Sequence, residues 1–207
     1  MSRPKVPSRP PPSLTRADHD VLMLQPVLWR IHRTRGEHVL PWNGFRSYGP
    51  LPSGRYDPHS LPAADQPEHG IAYAAVTLTT AIAEVFQTSR RVSPAAPGDL
   101  HATSWTPLRP LRLLGLTGEW ALRNGAAHTL ASAPRPTVRA WSRAIHRQWE
   151  DLDGLWASTM TGSAITALYR RSATAMPEAP AFSRPLAAPV LWTLVADCAE
   201  SIGYQIG

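Results

Sequence analysis

Apolar and polar positions alternate along this chain in short bursts, and proline or glycine closes most of them within a few residues. That pattern predicts many short elements, because proline lacks the N–H that helix and sheet interiors use. Val27 to His32 (VLWRIH) reads as a strand, with Leu28 and Arg30 on one face and Trp29 and Ile31 on the other. Ile71 to Val76 reads as the next. The helix after it starts at a threonine cap, Thr77 or Thr79, and Ile82, Val85 and Phe86 form its expected buried stripe. Glu84 then lies roughly 200° around the helix from Ile82 and points away from the stripe. Further strands are expected over 101–106, 111–116, 154–158 and 165–169, and helices over 119–124, 137–149 and 190–202. Strands and helices mix without a regular βαβ alternation, so the expected fold class is α+β.

Residues 36–70 carry glycine, proline and histidine with little periodicity and read as a long loop region, the kind that often holds function. Residues 1–20 are basic and proline-rich and read as a flexible tail. A single domain is expected over 21–207. Its 207-residue length permits a sizeable core, and a hydrophobic content of 43% is ordinary for a globular chain.

The formal net charge is +6, and Lys5 is the single lysine among the basic residues. A coding bias explains so many arginines, and so does phosphate recognition through the planar guanidinium fork. The arginines are scattered, without the dense basic–aromatic runs of a nucleic-acid binder, so direct nucleic-acid binding is not expected. Mean hydropathy of -0.23 and the lack of any long apolar run argue against membrane insertion. Cys198 is alone, which fits a cytoplasmic location. No P-loop, GxGxxG, HExxH or CxxC is present, and the histidines are dispersed, so no metal is expected.

Chemistry concentrates around Tyr73 and Glu84, eleven positions apart across the strand-to-helix junction. Arg30 sits among apolar strand neighbours, where it either snorkels from an edge or faces an anion in a cleft. Arg55 lies in the turn Gly54-Arg55-Tyr56-Asp57-Pro58, where glycine lets the backbone bend and present the guanidinium. Taken singly, each of these residues is an ordinary strand aromatic or a solvated charge.

Together they resemble the RES domain family, named for its arginine, glutamate and serine, which includes toxins of bacterial toxin–antitoxin pairs. The resemblance runs through Trp29-Arg30, the GRYDP turn, Tyr73-Ala74-Ala75, the helical Ala81-Ile82-Ala83-Glu84-Val85, Trp141-Ser142 and Asp153-Gly154-Leu155, covering about residues 27–170. Ile31 follows Arg30 where the family often has tyrosine beside the arginine. The family serine falls on Ser142 or, alternatively, on Ser158 after the DGL strand.

The resemblance implies a split mixed sheet with flanking helices, similar to the ADP-ribosyltransferase fold, that binds NAD as substrate. Cleaving the nicotinamide–ribose bond builds positive charge on the sugar, as glycoside hydrolysis does. The implied catalytic set is Glu84, Arg30 and Ser142, with Arg30, Arg55, Tyr56, Tyr73 and Ser158 binding NAD. Inorganic phosphate is an implied co-substrate. The implied partner is an antitoxin carrying a helix-turn-helix domain, and a homodimer is compatible with the chain. The expected activity is that of an NAD glycohydrolase or phosphorylase. The alternatives are an ADP-ribosyltransferase acting on a protein, a non-catalytic nucleotide or nucleic-acid module, and a structural subunit docking through its apolar C-terminal helix.

Overall fold

Asp153 and Gly154, the start of the DGL strand, show how closely the sheet of this protein is built. In the computed structural model, which describes residues 5–159 and 161–207, the Asp153 carboxylate takes both guanidinium nitrogens of Arg109 at 2.6 and 2.8 Å and the backbone N–H of Arg112 at 2.9 Å. A Cβ on Gly154 would stand 2.3 Å from the carbonyl oxygen of Ala167 on the neighbouring strand. The pair therefore locks three strands at one end, which gives this motif a structural reason.

In chain order the strands are β1 Val21–Leu24, β2 Leu28–Arg33, β3 Tyr48–Gly49, β4 Ala64–Asp65, β5 Ile71–Ala75, β6 Arg91–Val92, β7 Leu100–Trp105, β8 Leu111–Gly115, β9 Gly154–Ser158, β10 Ala164–Tyr169, β11 Phe182–Pro185 and β12 Gln205–Ile206. The helices are α1 Leu78–Phe86, α2 Glu119–Arg123, α3 Arg135–Gln148 and α4 Pro189–Ser201. Eight strands form one mixed sheet in the order β1-β8-β9-β10-β5-β2-β7-β11, in which β8 and β9 run parallel. The α+β class is as expected, and β9 has the expected bounds. β1 and β11, the two edge strands, were not anticipated.

Each strand alternates its side chains between two cores, as its period of two requires. Ile71, Ala75, Leu155, Ala157 and Tyr169 face the larger core, which holds Ile82 and Phe86 of α1, Trp141 and Ile145 of α3, and Leu191 and Val195 of α4. Leu28, Ala72, Ala74, Trp105 and Leu168 face a smaller core closed by Trp42 and Phe45 of the long loop.

Two expectations change. In α1 the buried residues are Leu78, Thr80, Ala81, Ile82 and Phe86, while Val85 is 45% exposed. The apolar stripe is thus Leu78-Ala81-Ile82-Phe86, at the i, i+3, i+4, i+8 spacing, and Val85 turns to the side where Glu84 stands. Thr77 is the cap, its hydroxyl accepting from the N–H of Thr80 at 3.1 Å.

The tail is the other correction. Its first four residues lie outside the described residues, but residues 5–20 are tied down as a strap. Leu14 is buried. The side-chain amide of Gln148 brackets its backbone, accepting from the Leu14 N–H at 2.9 Å and donating to its carbonyl. Asn124 does the same for Thr15 at 2.8 and 2.9 Å, and the Trp141 indole donates to the Pro7 carbonyl. An extended proline-rich segment has unpaired backbone groups, and here two amide side chains stand in for a neighbouring strand.

Candidate active site

The large sheet is split. β2 pairs with β7 at six positions but meets β5 at a single register position, Trp29 opposite Ala75. Past that rung the strands diverge, and Ile71 exchanges two backbone hydrogen bonds with Arg46 of the long loop instead. A cleft of about 890 Å³ opens there, within the size range of small-molecule sites. Of the residues expected at the site, Arg30, Arg55, Tyr56, Tyr73, Glu84 and Ser158 all line it.

Ser142 does not line it. Its hydroxyl is buried behind the cleft wall, donating to the Tyr56 carbonyl at 2.6 Å and lying 3.2 Å from the Tyr169 hydroxyl. Direct donation from Ser142 to a bound sugar or to Glu84 is replaced by a grip on the backbone of the GRYDP turn. Of the two candidate serines, Ser158, exposed at the end of β9, is the one that lines the cleft, together with Ser53 and Ser132.

The turn itself is held from several directions. Tyr73 donates its hydroxyl to Asp57 Oδ1 at 2.8 Å and accepts from the N–H of Tyr56 at 2.9 Å. Asp57 is wholly buried and also takes the Arg46 guanidinium at 2.7 Å on each oxygen, together with the N–H of Leu51 at 2.8 Å. A Cβ on Gly54 would fall 2.2 Å from Asp57 Oδ1. Glycine is therefore needed for close approach to a carboxylate, not for a left-handed bend. Burial, followed by the neighbouring Asp57 charge, pushes the Tyr73 phenol well above its ordinary range. Burial likewise raises Tyr56 to about 12, so both rings stay neutral walls of the cleft.

Arg30 reaches the cleft from β2, and its Nη1 donates to the carbonyls of Trp42 and Gly44, both at 2.9 Å. Burial, with the nearby Arg46 charge, lowers its pKa to about 10. Among the described residues no carboxylate pairs with it, so this arginine is an enclosed cation without a counter-ion. Such a group is costly until an anion arrives. Arg55 fixes its Nη1 on the Ala133 carbonyl at 2.8 Å, which joins the GRYDP turn to the segment leading into α3. Glu84 faces solvent across the cleft; loss of surrounding water raises its carboxyl above the ordinary value, while Arg55 and Arg135 draw it back down.

Arg135, His128 and Thr129 complete the far wall, and none was singled out from the sequence. Arg135 lies between two prolines at the start of α3, a helix-start signal that says nothing of a cleft. Asp57 lay in plain view within GRYDP but carried no role until its three partners, Tyr73, Arg46 and Leu51, were seen together. Behind the turn, His59, His69, His146 and Tyr169 form a ring stack with successive centroid separations of 6.3, 5.0 and 4.8 Å. Burial lowers the basicity of all three histidines, that of His146 to about 3.

A carboxylate opposite enclosed arginines, between two aromatic walls, can stabilise a sugar cation while gripping an anionic tail. Comparison with known proteins bears on the fold and the family. No curated protein matches the sequence. A chain of the crystal structure of the M. tuberculosis MbcT–MbcA toxin–antitoxin complex is similar at a TM-score of 0.59 and 15% identity, over 85% of this chain and 92% of that one, a likeness of fold. The RES domain family model matches residues 27–188, from the strand of Arg30 to the residue before α4. With most of its length so matched, the protein belongs to the RES domain family.

Proposed function

We propose that this protein is a toxin that consumes NAD by cleaving its nicotinamide–ribose bond. The observation that carries the reading is Arg30, a partly buried cation with no acidic partner among the described residues, at the mouth of a sheet split that also presents Glu84. Bond cleavage leaves the electron pair on the departing nicotinamide and positive charge on the ribose. An ionised Glu84 near the ribose hydroxyls stabilises that charge, and Tyr56 and Tyr73 supply flat apolar surface for the rings. Ser142 acts at one remove, by fixing the Tyr56 carbonyl and so the turn that presents Arg55. Of the two candidate serines, Ser158 is the one whose hydroxyl borders the cleft.

Incubating the protein with NAD should release nicotinamide, and Glu84→Ala should slow release by about 10²–10³-fold. Running the assay with and without phosphate, and with labelled NAD and cell protein, separates hydrolysis, phosphorolysis and ADP-ribosyl transfer. If the wild type leaves NAD intact under all three conditions, the enzymatic reading fails. A salt-sensitive DNA or RNA shift unaffected by Glu84→Ala would then favour a binding module.

The MbcT–MbcA structure is by its title a toxin–antitoxin complex. We extend that arrangement to a cognate antitoxin that covers this cleft, carries a helix-turn-helix domain and acts in the cytoplasm. Co-expression with the product of a small adjacent helix-turn-helix gene should relieve growth arrest, and failure to do so would remove that partner.

A further inference from the structure

Among the described residues, three arginines of the cleft are free of acidic partners, and they fall into two groups. Arg46 is spent on Asp57. Arg30 stands on the β2 side next to Arg46, whereas Arg55 and Arg135 stand on the side of Glu84. Arg55 is half committed, with one nitrogen on the Ala133 carbonyl. Arg135 makes no hydrogen bond or ion pair among the described residues, and its Nε is enclosed without a partner. It also occupies the first turn of α3, where no acidic residue offsets it and no side chain caps the helix. A cation placed there opposes the helix dipole, so the position is adverse unless an anion sits beside it. Arg30, Arg55 and Arg135 against Glu84 leave an excess of two positive charges in the cleft, matching a diphosphate in sign and size.

Building on the proposed NAD cleavage, we infer that Arg135, with Arg55, grips the substrate phosphate nearest the scissile bond. In a pyridine nucleotide one ribose separates the glycosidic carbon from its 5′-phosphate. A sugar whose hydroxyls meet Glu84 therefore presents that phosphate to the arginines flanking the same carboxylate. Arg30, on the other strand, is left to the more distant phosphate or to an attacking inorganic phosphate. Arg135 is then a specificity residue: it makes the substrate class a 5′-phosphorylated pyridine nucleoside, either dinucleotide or mononucleotide, and disfavours the bare nucleoside.

The test compares NAD, nicotinamide mononucleotide and nicotinamide riboside as substrates of the full chain and of Arg135→Gln. It is run on the plateau above the acid limb of both proteins, so that a shift in the Glu84 titration does not enter. Losing one charge-assisted fork should raise KM for the two phosphorylated substrates by about 10- to 100-fold with little change in kcat. Efficiency on the riboside, which lacks the phosphate, should fall far less, and Arg135→Lys should recover part of the lost affinity. An equal loss on all three substrates would mean that Arg135 merely braces the wall, and an unchanged KM for NAD would remove it from the site. Both outcomes overturn the inference. Should the wild type cleave none of the three, the NAD reading fails, and inorganic pyrophosphate binding decides on the arginines alone. Pyrophosphate should raise the melting temperature of the wild type and not of Arg135→Gln, and equal shifts would overturn the phosphate grip.

Discussion

Glu84 and the residues around the GRYDP turn carry most of the chemistry that single substitutions can reach. The proposed cleavage needs Glu84 ionised, and desolvation holds its carboxyl above the ordinary 4.5. The acid limb of kcat/KM should therefore lie above pH 4.5, with activity lost as pH falls through it. Arg55→Gln removes a charge that pulls this pKa down, so the limb should move to higher pH. A limb that stays in place would dissociate it from Glu84. The two serines separate by a different measurement. Ser142→Ala strands a buried carbonyl and should cost about 1–3 kcal/mol in urea unfolding, lowering activity through the displaced turn. Ser158→Ala should leave stability within about 0.5 kcal/mol and act on substrate KM alone. Asp57→Asn breaks the ion pair of a fully buried carboxylate with the partly exposed Arg46 and should destabilise by up to about 3 kcal/mol. The arginine, glutamate and tyrosine of this site were legible as types at spacings. Depth was not. Sequence places Ser142 beside Trp141 on a helix but cannot say that the helix turns the serine inward behind the cleft.

At the level of elements, legibility followed periodicity. β9 and β10, short apolar runs set off by glycine, were legible almost to the residue, whereas α1 was legible as a helix with a threonine cap but not in its full buried stripe. β1 (VLML) is uniformly apolar over four residues, so it offers no alternation to read, and it exists because β8 pairs with it. β11 begins in a proline-rich stretch and ends on Pro185, tolerated because an edge strand has one side without a partner. The strap is invisible in sequence for the same reason, since its order comes from Gln148 and Asn124, more than a hundred residues away. Gln148→Ala should cost about 1–3 kcal/mol by leaving the Leu14 backbone groups unpaired. Removal of residues 1–16 should lower the melting temperature measurably. A truncated chain with an unchanged melting temperature would return the strap to the status of a loose tail.

For the whole molecule, the histidine stack links acidity to the integrity of the wall behind the cleft. His59 lies two residues after Asp57, and its carbonyl accepts from Arg143 at 2.6 Å. Around the stack stand Arg46, Asp57, Glu68, Arg143 and Arg171, so a proton added there meets more cations than carboxylates. His146 titrates near 6.5 when unfolded and at about 3 when folded. Between those values the unfolded chain binds more protons, so stability is complete above about pH 6.5 and is lost progressively as pH falls toward 3. His146→Phe, which keeps a ring in place, should flatten that slope in urea titrations at several pH values. An unaltered slope would locate the acid sensitivity elsewhere.

The single rung joining β2 to β5 has one more consequence. A sheet normally has unsatisfied margins at its two outer strands, but here a pair of margins is enclosed within the molecule, facing each other across the cleft. Both margins border the cleft although the strands that carry them are central to the fold. Amide hydrogens on the facing margins of β2 and β5 should therefore exchange with deuterium sooner than those of fully paired β10. A bound nucleotide should slow them, so isotope exchange would report occupancy of the cleft without any chemical turnover.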